Sequence, residues 1–189
     1  MPEQHLAVLG REAVATASLT EVLEARDRRA ALQGQLLAVY GLPVLSLTLV
    51  SPGPVKDSPS RRRLMDMAEA ALRDETRAAG LRVRQRSRTD GIAGPEALWI
   101  VEAPPDPLKR LAIGIEASRP WGRLLDVDVL LADARRAPVS LQRQTLGFEP
   151  RRCLVCDAAA KECLASRRHH PDLAIAIAMS LLGRCMGQP

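Results

Sequence analysis

In 122-GRLLDVDVLL-131 two aspartates, Asp126 and Asp128, stand two apart inside an apolar run. In a β-strand residues i and i+2 point the same way, roughly 6.6 Å apart. The two carboxylates therefore share one face, and Leu125, Val127 and Val129 share the other. Like charges so close repel each other unless solvent or a cation lies between them. Mg²⁺ suits the position: it is a hard cation, held by one or two carboxylates together with substrate phosphates. Enzymes that move phosphoryl or nucleotidyl groups use such a pair to hold metal over the reacting phosphorus. Ordinary aspartates on a solvent-facing strand have the same spelling. A third carboxylate ligand would be Glu116, at the end of the preceding segment, or Asp57, from an upstream loop; the residues leave both open.

A second constellation lies in 153-CLVCDAAAKECLASRRHH-170. Cys153 and Cys156 form a C-x₂-C knuckle, and Cys163 with His169 completes a Cys₃His set suited to structural Zn²⁺. The spacing is tighter than in common zinc ribbons, and a cluster of small buried thiols is the plainer reading. Cys185 is a remote alternative ligand. Clustered cysteines in a reducing compartment point to metal or packing before disulfides.

The third is the loop 51-SPGPVKDSPS-60, between a predicted strand and a predicted helix. Ser58 reads as an N-cap and Pro59 as the first helical residue. A helix N-terminus offers free N–H groups and partial positive charge, which favours phosphate. Lys56 adds a cation and Gly53 adds room. An ordinary strand-to-helix connection would look similar.

The elements that must position these groups follow from pattern. Residues 20–41 read as a helix capped by Thr20 and ended by Gly41, with a stripe of Leu23, Ala30 and Leu37. Arg26 lies in line with that stripe, either snorkelling past the core edge or aimed at an anion. Segment 42–50 is a strand, and 59–80 a helix burying Leu64, Ala68, Ala71 and Leu72. Segment 81–89 reads as a basic edge strand, 97–103 as a strand, and 111–117 as a strand forming a hairpin with 123–131. That pairing would bring Glu116 near Asp126. Loop and a short strand fill 132–150, and an apolar helix closes the chain. The sum is one α/β (α+β) domain over 1–189, a mixed or antiparallel sheet flanked by helices, nucleotidyltransferase-like, with a Cys-rich segment at about 151–170.

Several of these segments together resemble the apo-citrate lyase phosphoribosyl-dephospho-CoA transferases, or holo-citrate lyase synthases. The matching pieces are 23-LEARDRR-29, 51-SPGPVKDS-58, 122-GRLLDVDV-129 and 150-PRRCLVC-156 followed by Cys163 and His169. They span roughly residues 20 to 170. Leu125 departs from the family's bulky aromatic before the first aspartate, which changes packing beneath the pair. The resemblance implies an enzyme that takes 2′-(5″-triphosphoribosyl)-3′-dephospho-CoA, attaches the phosphoribosyl-dephospho-CoA group to a serine of the citrate lyase acyl carrier protein, and releases pyrophosphate. It implies catalytic, Mg²⁺-holding roles for Asp126 and Asp128, and phosphate contacts from Arg26, Gly53, Lys56 and Arg123; Glu116 is carried beside the pair as the candidate third Mg²⁺ ligand from the reading of the residues.

Composition narrows the rivals. The net charge of +5 over 189 residues favours anionic partners, whether phosphates, an acidic protein or nucleic acid. Aromatics make up only 2%, which argues against a zinc-containing nucleic-acid binder that stacks bases. A metal-dependent nucleotide-sugar glycosyltransferase also uses D-x-D but needs a larger nucleotide domain. The longest apolar stretch, 171–186, is shorter than the ~20 residues of a spanning helix, and the first twenty residues show no targeting pattern. The expectation is a cytoplasmic enzyme with neither a nucleic-acid nor a membrane partner.

Overall fold

The computed structural model describes residues 15–187. The first helix, α1, runs Leu19–Tyr40 and is capped by Ser18. The Ser18 side chain accepts from the Glu21 N–H while Glu21 reaches back to the Ser18 N–H, a reciprocal box that takes the role expected of Thr20. Gly41, in the left-handed region, closes the helix as expected. The buried side chains are Ala25, Leu36 and Leu37, whereas Leu23 and Ala30 are exposed. The expected stripe thus holds only at Leu37, because α1 covers the sheet mainly with its C-terminal half.

Strand β1, Val44–Leu49, leads through the proline loop into α2, Pro59–Ala78. Ser58 caps α2, with Pro59 in the first turn, and Leu64, Ala68, Ala71 and Leu72 are buried as expected. Strands β2, Arg82–Thr89, and β3, Glu96–Glu102, form the next hairpin. The segment expected as a strand at 111–117 is instead the second half of α3, Pro105–Ser118. Seven apolar-rich residues fit either period. The preceding 104-PPDPL-108 decides: proline is tolerated in a first turn, and Asp106 there complements the helix dipole. Leu108, Ala112 and Ile115, at i, i+4 and i+7, then face the core. There is accordingly no hairpin between 111–117 and the aspartate strand.

That strand is β4, Leu125–Ala132, followed by a three-residue β5, Pro138–Ser140. All pairings are antiparallel and the order is β2-β3-β1-β4-β5, so basic β2 is indeed an edge. Helices α4, Ala160–Ala165, and α5, Pro171–Cys185, complete the chain. The sheet is sandwiched. On one face α2, α3 and α5 bury Leu45, Leu47, Trp99, Val101, Leu125, Val127 and Val129. On the other, Leu36 and Leu37 of α1 meet Val44, Leu98, Ile100 and Leu130. No helix among the described residues is long and apolar enough to cross a membrane. Most of the N-terminal stretch read for a targeting signal lies outside the described residues.

Candidate active site

Where α1 stops covering its face of the sheet, that face turns polar. Asp126 and Asp128 pair with Thr48 and Ser46 of β1, and Thr48 pairs on its other side with Glu96 of β3. Residues in register share a face, and Asp126, Asp128, Thr48 and Glu96 line the floor of a cleft of about 920 Å³ beside the N-terminal half of α1. The aspartates are half-open to it, at 50% and 43% side-chain exposure, while their strand neighbours Leu125, Val127 and Val129 are buried. The alternation expected from D-x-D is therefore present.

Because β5 is so short, the outward N–H and C=O of Val127 find no partner strand. Helix α3 supplies both: Glu116 Oε1 accepts from the Val127 N–H at 2.8 Å, and Lys109 Nζ donates to the Val127 carbonyl at 3.2 Å. This places Glu116 beside Asp126 by a helix-to-strand-edge contact. Glu116 is also paired with Arg143 and lies 3.6 Å from Arg151. Burial pushes its carboxyl above the usual value, against the pull of Arg151, the Val127 N–H and Arg143. Asp57, the other candidate third carboxylate, is paired with Arg62 and is not among the cleft residues.

Each aspartate has its own cation. Arg151 Nη1 donates to Asp126 Oδ1 at 2.8 Å, and Lys109 Nζ stands 3.5 Å from Asp128 Oδ1. Ser140 also donates to Asp128 Oδ1, at 2.7 Å. Among the described residues the recorded contacts of both carboxylates fall on Oδ1, and neither Oδ2 has a protein donor. Hard oxygen donors on one face, half-open to a cavity that can admit phosphates, are a donor set that fits Mg²⁺.

Arg26 and Lys56 line the same cleft, and among the described residues neither has a carboxylate within ion-pair distance. Lys56 Nζ donates to the Ser51 carbonyl at 2.6 Å. Burial, reinforced by the charges of Arg26 and Arg61, lowers the Lys56 ammonium from its ordinary value. An uncompensated cationic edge of this kind is relieved by an anion. The loop reaches the cleft through Ser51, Pro52 and Lys56; the α2 N-terminus does not line it, and its Arg61 N–H is taken by Ser58. Gly53 has φ +82°, and a Cβ there would lie 2.8 Å from Ile175 Cδ1 of α5. Its lack of a side chain serves packing against α5, at a position off the cleft.

Arg123 also stands elsewhere than expected. Its Nη2 donates to the carbonyls of Cys153 and Leu154, at 2.8 and 3.0 Å, and so braces the cysteine knuckle. In return, Arg151 Nη2 donates to the carbonyls of Arg123 and Leu125. The two arginines clasp the Cys-rich segment to the start of β4.

The knuckle brings Cys153, Cys156, Cys163 and His169 together, with ligand atoms all within 4.8 Å of one another. Cys156 Sγ lies 3.6 Å from Cys163 Sγ and 3.2 Å from His169 Nε2. Burial and hydrogen bonding to its neighbouring thiols push Cys163 up to about 11. A cluster of three sulfurs and an imidazole can hold a metal ion, and all four cysteines are free of disulfides.

Sequence reading missed Lys109, Arg143, Arg151 and Ser140 as site residues. Arg151 stood in the matching 150-PRRCLVC-156, and Arg29, which pairs with Glu96 at the cleft, in 23-LEARDRR-29. Lys109 gave one usable signal, a lysine in line with the buried positions of a helix. That signal was hidden while 111–117 was read as a strand.

The family profile described as apo-citrate lyase phosphoribosyl-dephospho-CoA transferase matches residues 17–182, taking in most of α5 as well as the segments above. A protein of that name from Citrobacter koseri is 37% identical over 152 residues, covering 80% of this chain and 81% of the relative. Namesakes from Shigella boydii and Escherichia coli O157:H7 are each 36% identical over the same length. On a match that covers the helices, the sheet and the cysteine segment alike, the chain belongs to the apo-citrate lyase phosphoribosyl-dephospho-CoA transferase family.

Proposed function

We propose that this protein moves the 2′-(5″-phosphoribosyl)-3′-dephospho-CoA group from its triphosphate donor onto a serine of the citrate lyase acyl carrier protein. The serine hydroxyl gives up its proton to solvent, and its oxygen forms a bond to the α-phosphorus of the donor. The bond from that phosphorus to the bridging oxygen breaks, and pyrophosphate leaves with the electron pair. The product is a phosphodiester, so the reaction is nucleotidyl transfer in form.

Arg26 and Lys56 pair with oxygens of the triphosphate and neutralise charge that shifts to the leaving group. Asp126 and Asp128 hold Mg²⁺, with Glu116 close by, and that ion would supply further neutralisation of the pyrophosphate and lower the pKa of the serine hydroxyl. Arg151, Lys109 and Ser140 fix the carboxylates. Cys153, Cys156, Cys163 and His169 hold Zn²⁺ in a structural site, consistent with soft sulfur donors and a closed Cys₃His set. Gly53 and Arg123 act behind the cleft, shaping the loop and the knuckle. We place the reaction in the cytoplasm, with all of 1–189 as a single transferase domain. The excess positive charge suits both a polyanionic donor and an acidic carrier.

The observation that carries this reading is that one cleft holds both the half-open carboxylate pair and two cations, Arg26 and Lys56, that have no ion-pair partner among the described residues. No specific feature favours the glycosyltransferase or nucleic-acid alternatives. The test is incubation with the triphosphoribosyl donor and apo carrier protein, read by intact mass. The expected result is one added phosphoribosyl-dephospho-CoA per carrier with stoichiometric pyrophosphate. An unmodified carrier, with donor and Mg²⁺ in excess, would sink the assignment.

A further inference from the structure

The carboxylates at and beside the D-x-D pair are already neutralised one by one: Arg151 on Asp126, Lys109 on Asp128, Arg143 on Glu116. Three acids against three bases sum to zero formal charge, so a bare divalent cation approaching this floor meets little net attraction. It also meets direct competition. Arg151 is anchored through Nη2 to the Arg123 and Leu125 carbonyls, which holds Nη1 against Asp126 Oδ1 and 3.6 Å from Glu116 Oε1. Its rigid guanidinium repels any cation that binds the same aspartate. A triphosphate reverses the balance, because its oxygens both ligate the cation and satisfy the cationic side chains.

From this we propose that the site takes its divalent cation as a complex with a polyphosphate and discriminates against the free ion, with Arg151 as the residue that imposes the order. The proposal rests on the reading of Asp126 and Asp128 as the cation's ligands. Arg151 then has two opposed effects: it weakens the bare ion and strengthens the ion–polyphosphate complex. A residue that merely held the fold would move both in the same direction.

The experiment measures Mn²⁺ retained by the full-length protein on equilibrium dialysis, with and without inorganic tripolyphosphate as the probe. The wild type is expected to bind Mn²⁺ weakly alone and to retain Mn²⁺ and tripolyphosphate together in equal amounts. Arg151→Gln should bind Mn²⁺ alone about tenfold or more tightly, the low end of what a unit charge at 4–6 Å does to a neighbouring group's proton affinity. It should also lose most of its co-retention of tripolyphosphate. Arg151→Lys keeps the charge but loses the two-pronged hydrogen bonding, and should resemble the wild type if charge sets the order. Tight binding of bare Mn²⁺ by the wild type would overturn the proposal, as would an Arg151→Gln variant that weakens both modes or an Arg151→Lys variant that behaves like Arg151→Gln. Asp126→Asn is the separate control: if it leaves co-retention intact, the carboxylate reading itself fails, whatever Arg151 does.

Discussion

Lys56→Ala tests the cationic edge most directly. The Lys56 ammonium holds one backbone carbonyl, that of Ser51, and no carboxylate among the described residues, so nearly its full charge is free for a phosphate. A hydrogen bond to a charged group of this kind is worth roughly 1.5–3 kcal/mol, or about one to two decades in kcat/KM. The loss should fall on the donor, since the carrier brings a serine and no triphosphate. The pH dependence carries a sign. Burial and the neighbouring arginines lower the Lys56 pKa, so it loses its proton below the ordinary lysine value of about 10.4. Phosphate favours the ammonium, so donor kcat/KM should be highest where Lys56 is protonated and fall as pH rises through its pKa. Lys56→Ala should be low at all pH values and lack that alkaline limb. Lys56→Arg should lack the limb while retaining most of the neutral-pH activity. The assay is steady-state pyrophosphate release with each substrate varied in turn, from neutral pH to the alkaline limit of stability. A loss confined to the carrier, or an alkaline limb that survives unchanged in Lys56→Ala, would refute the reasoning and move this loop to the protein-docking surface.

Three further outcomes are expected. Asp126→Asn and Asp128→Asn should each reduce transfer by several kcal/mol of transition-state stabilisation with an unchanged circular dichroism spectrum; near-wild-type turnover at saturating Mg²⁺ would remove the pair from the chemistry. Untagged protein should carry close to one zinc per chain on elemental analysis, and Cys156→Ser should lose it with a lowered Tm, whereas a metal-free preparation of unchanged Tm would contradict the site. Gly122→Ala should be destabilising, because the new Cβ would fall on the Glu116 carbonyl at the end of α3. Overpacking against backbone costs about 1–3 kcal/mol, near 2–4 °C in Tm per kcal/mol for a chain of this size, and scanning calorimetry with turnover on the same samples should show both fall.

What could be read from the residues was whatever a local period or a short spacing encodes. The D-x-D alternation set both aspartates on one face, and the C-x₂-C knuckle with Cys163 and His169 closed into a cluster. Ser58-Pro59 began α2 where expected. Failures arose where a side chain's partner lies far along the chain. Arg123 looked like a phosphate ligand because it precedes the aspartates, yet its guanidinium turns to carbonyls thirty residues on. Gly53 looked like room for a ligand, and the room is filled by Ile175 of the last helix. Segment 111–117 had a strand's period over too few residues, and only the prolines upstream marked a helix. Glu116 nonetheless arrived beside Asp126, by a route that no hairpin argument contains.

The two-sided contact of α3 with Val127 has a consequence for how the protein behaves at high concentration. An open strand edge invites pairing with any other chain that offers its own unpaired backbone, and proteins commonly block such edges with charges or a covering helix. Here the blockers are Glu116 and Lys109, the same two side chains that stand against the carboxylate pair. Losing either one bares half of the Val127 peptide register to foreign strands. Substitutions at these positions should therefore announce themselves first as soluble oligomers or precipitate that grow with concentration, seen by light scattering. The accessibility that the cleft gains by ending the sheet early is held in check by the residues that line it.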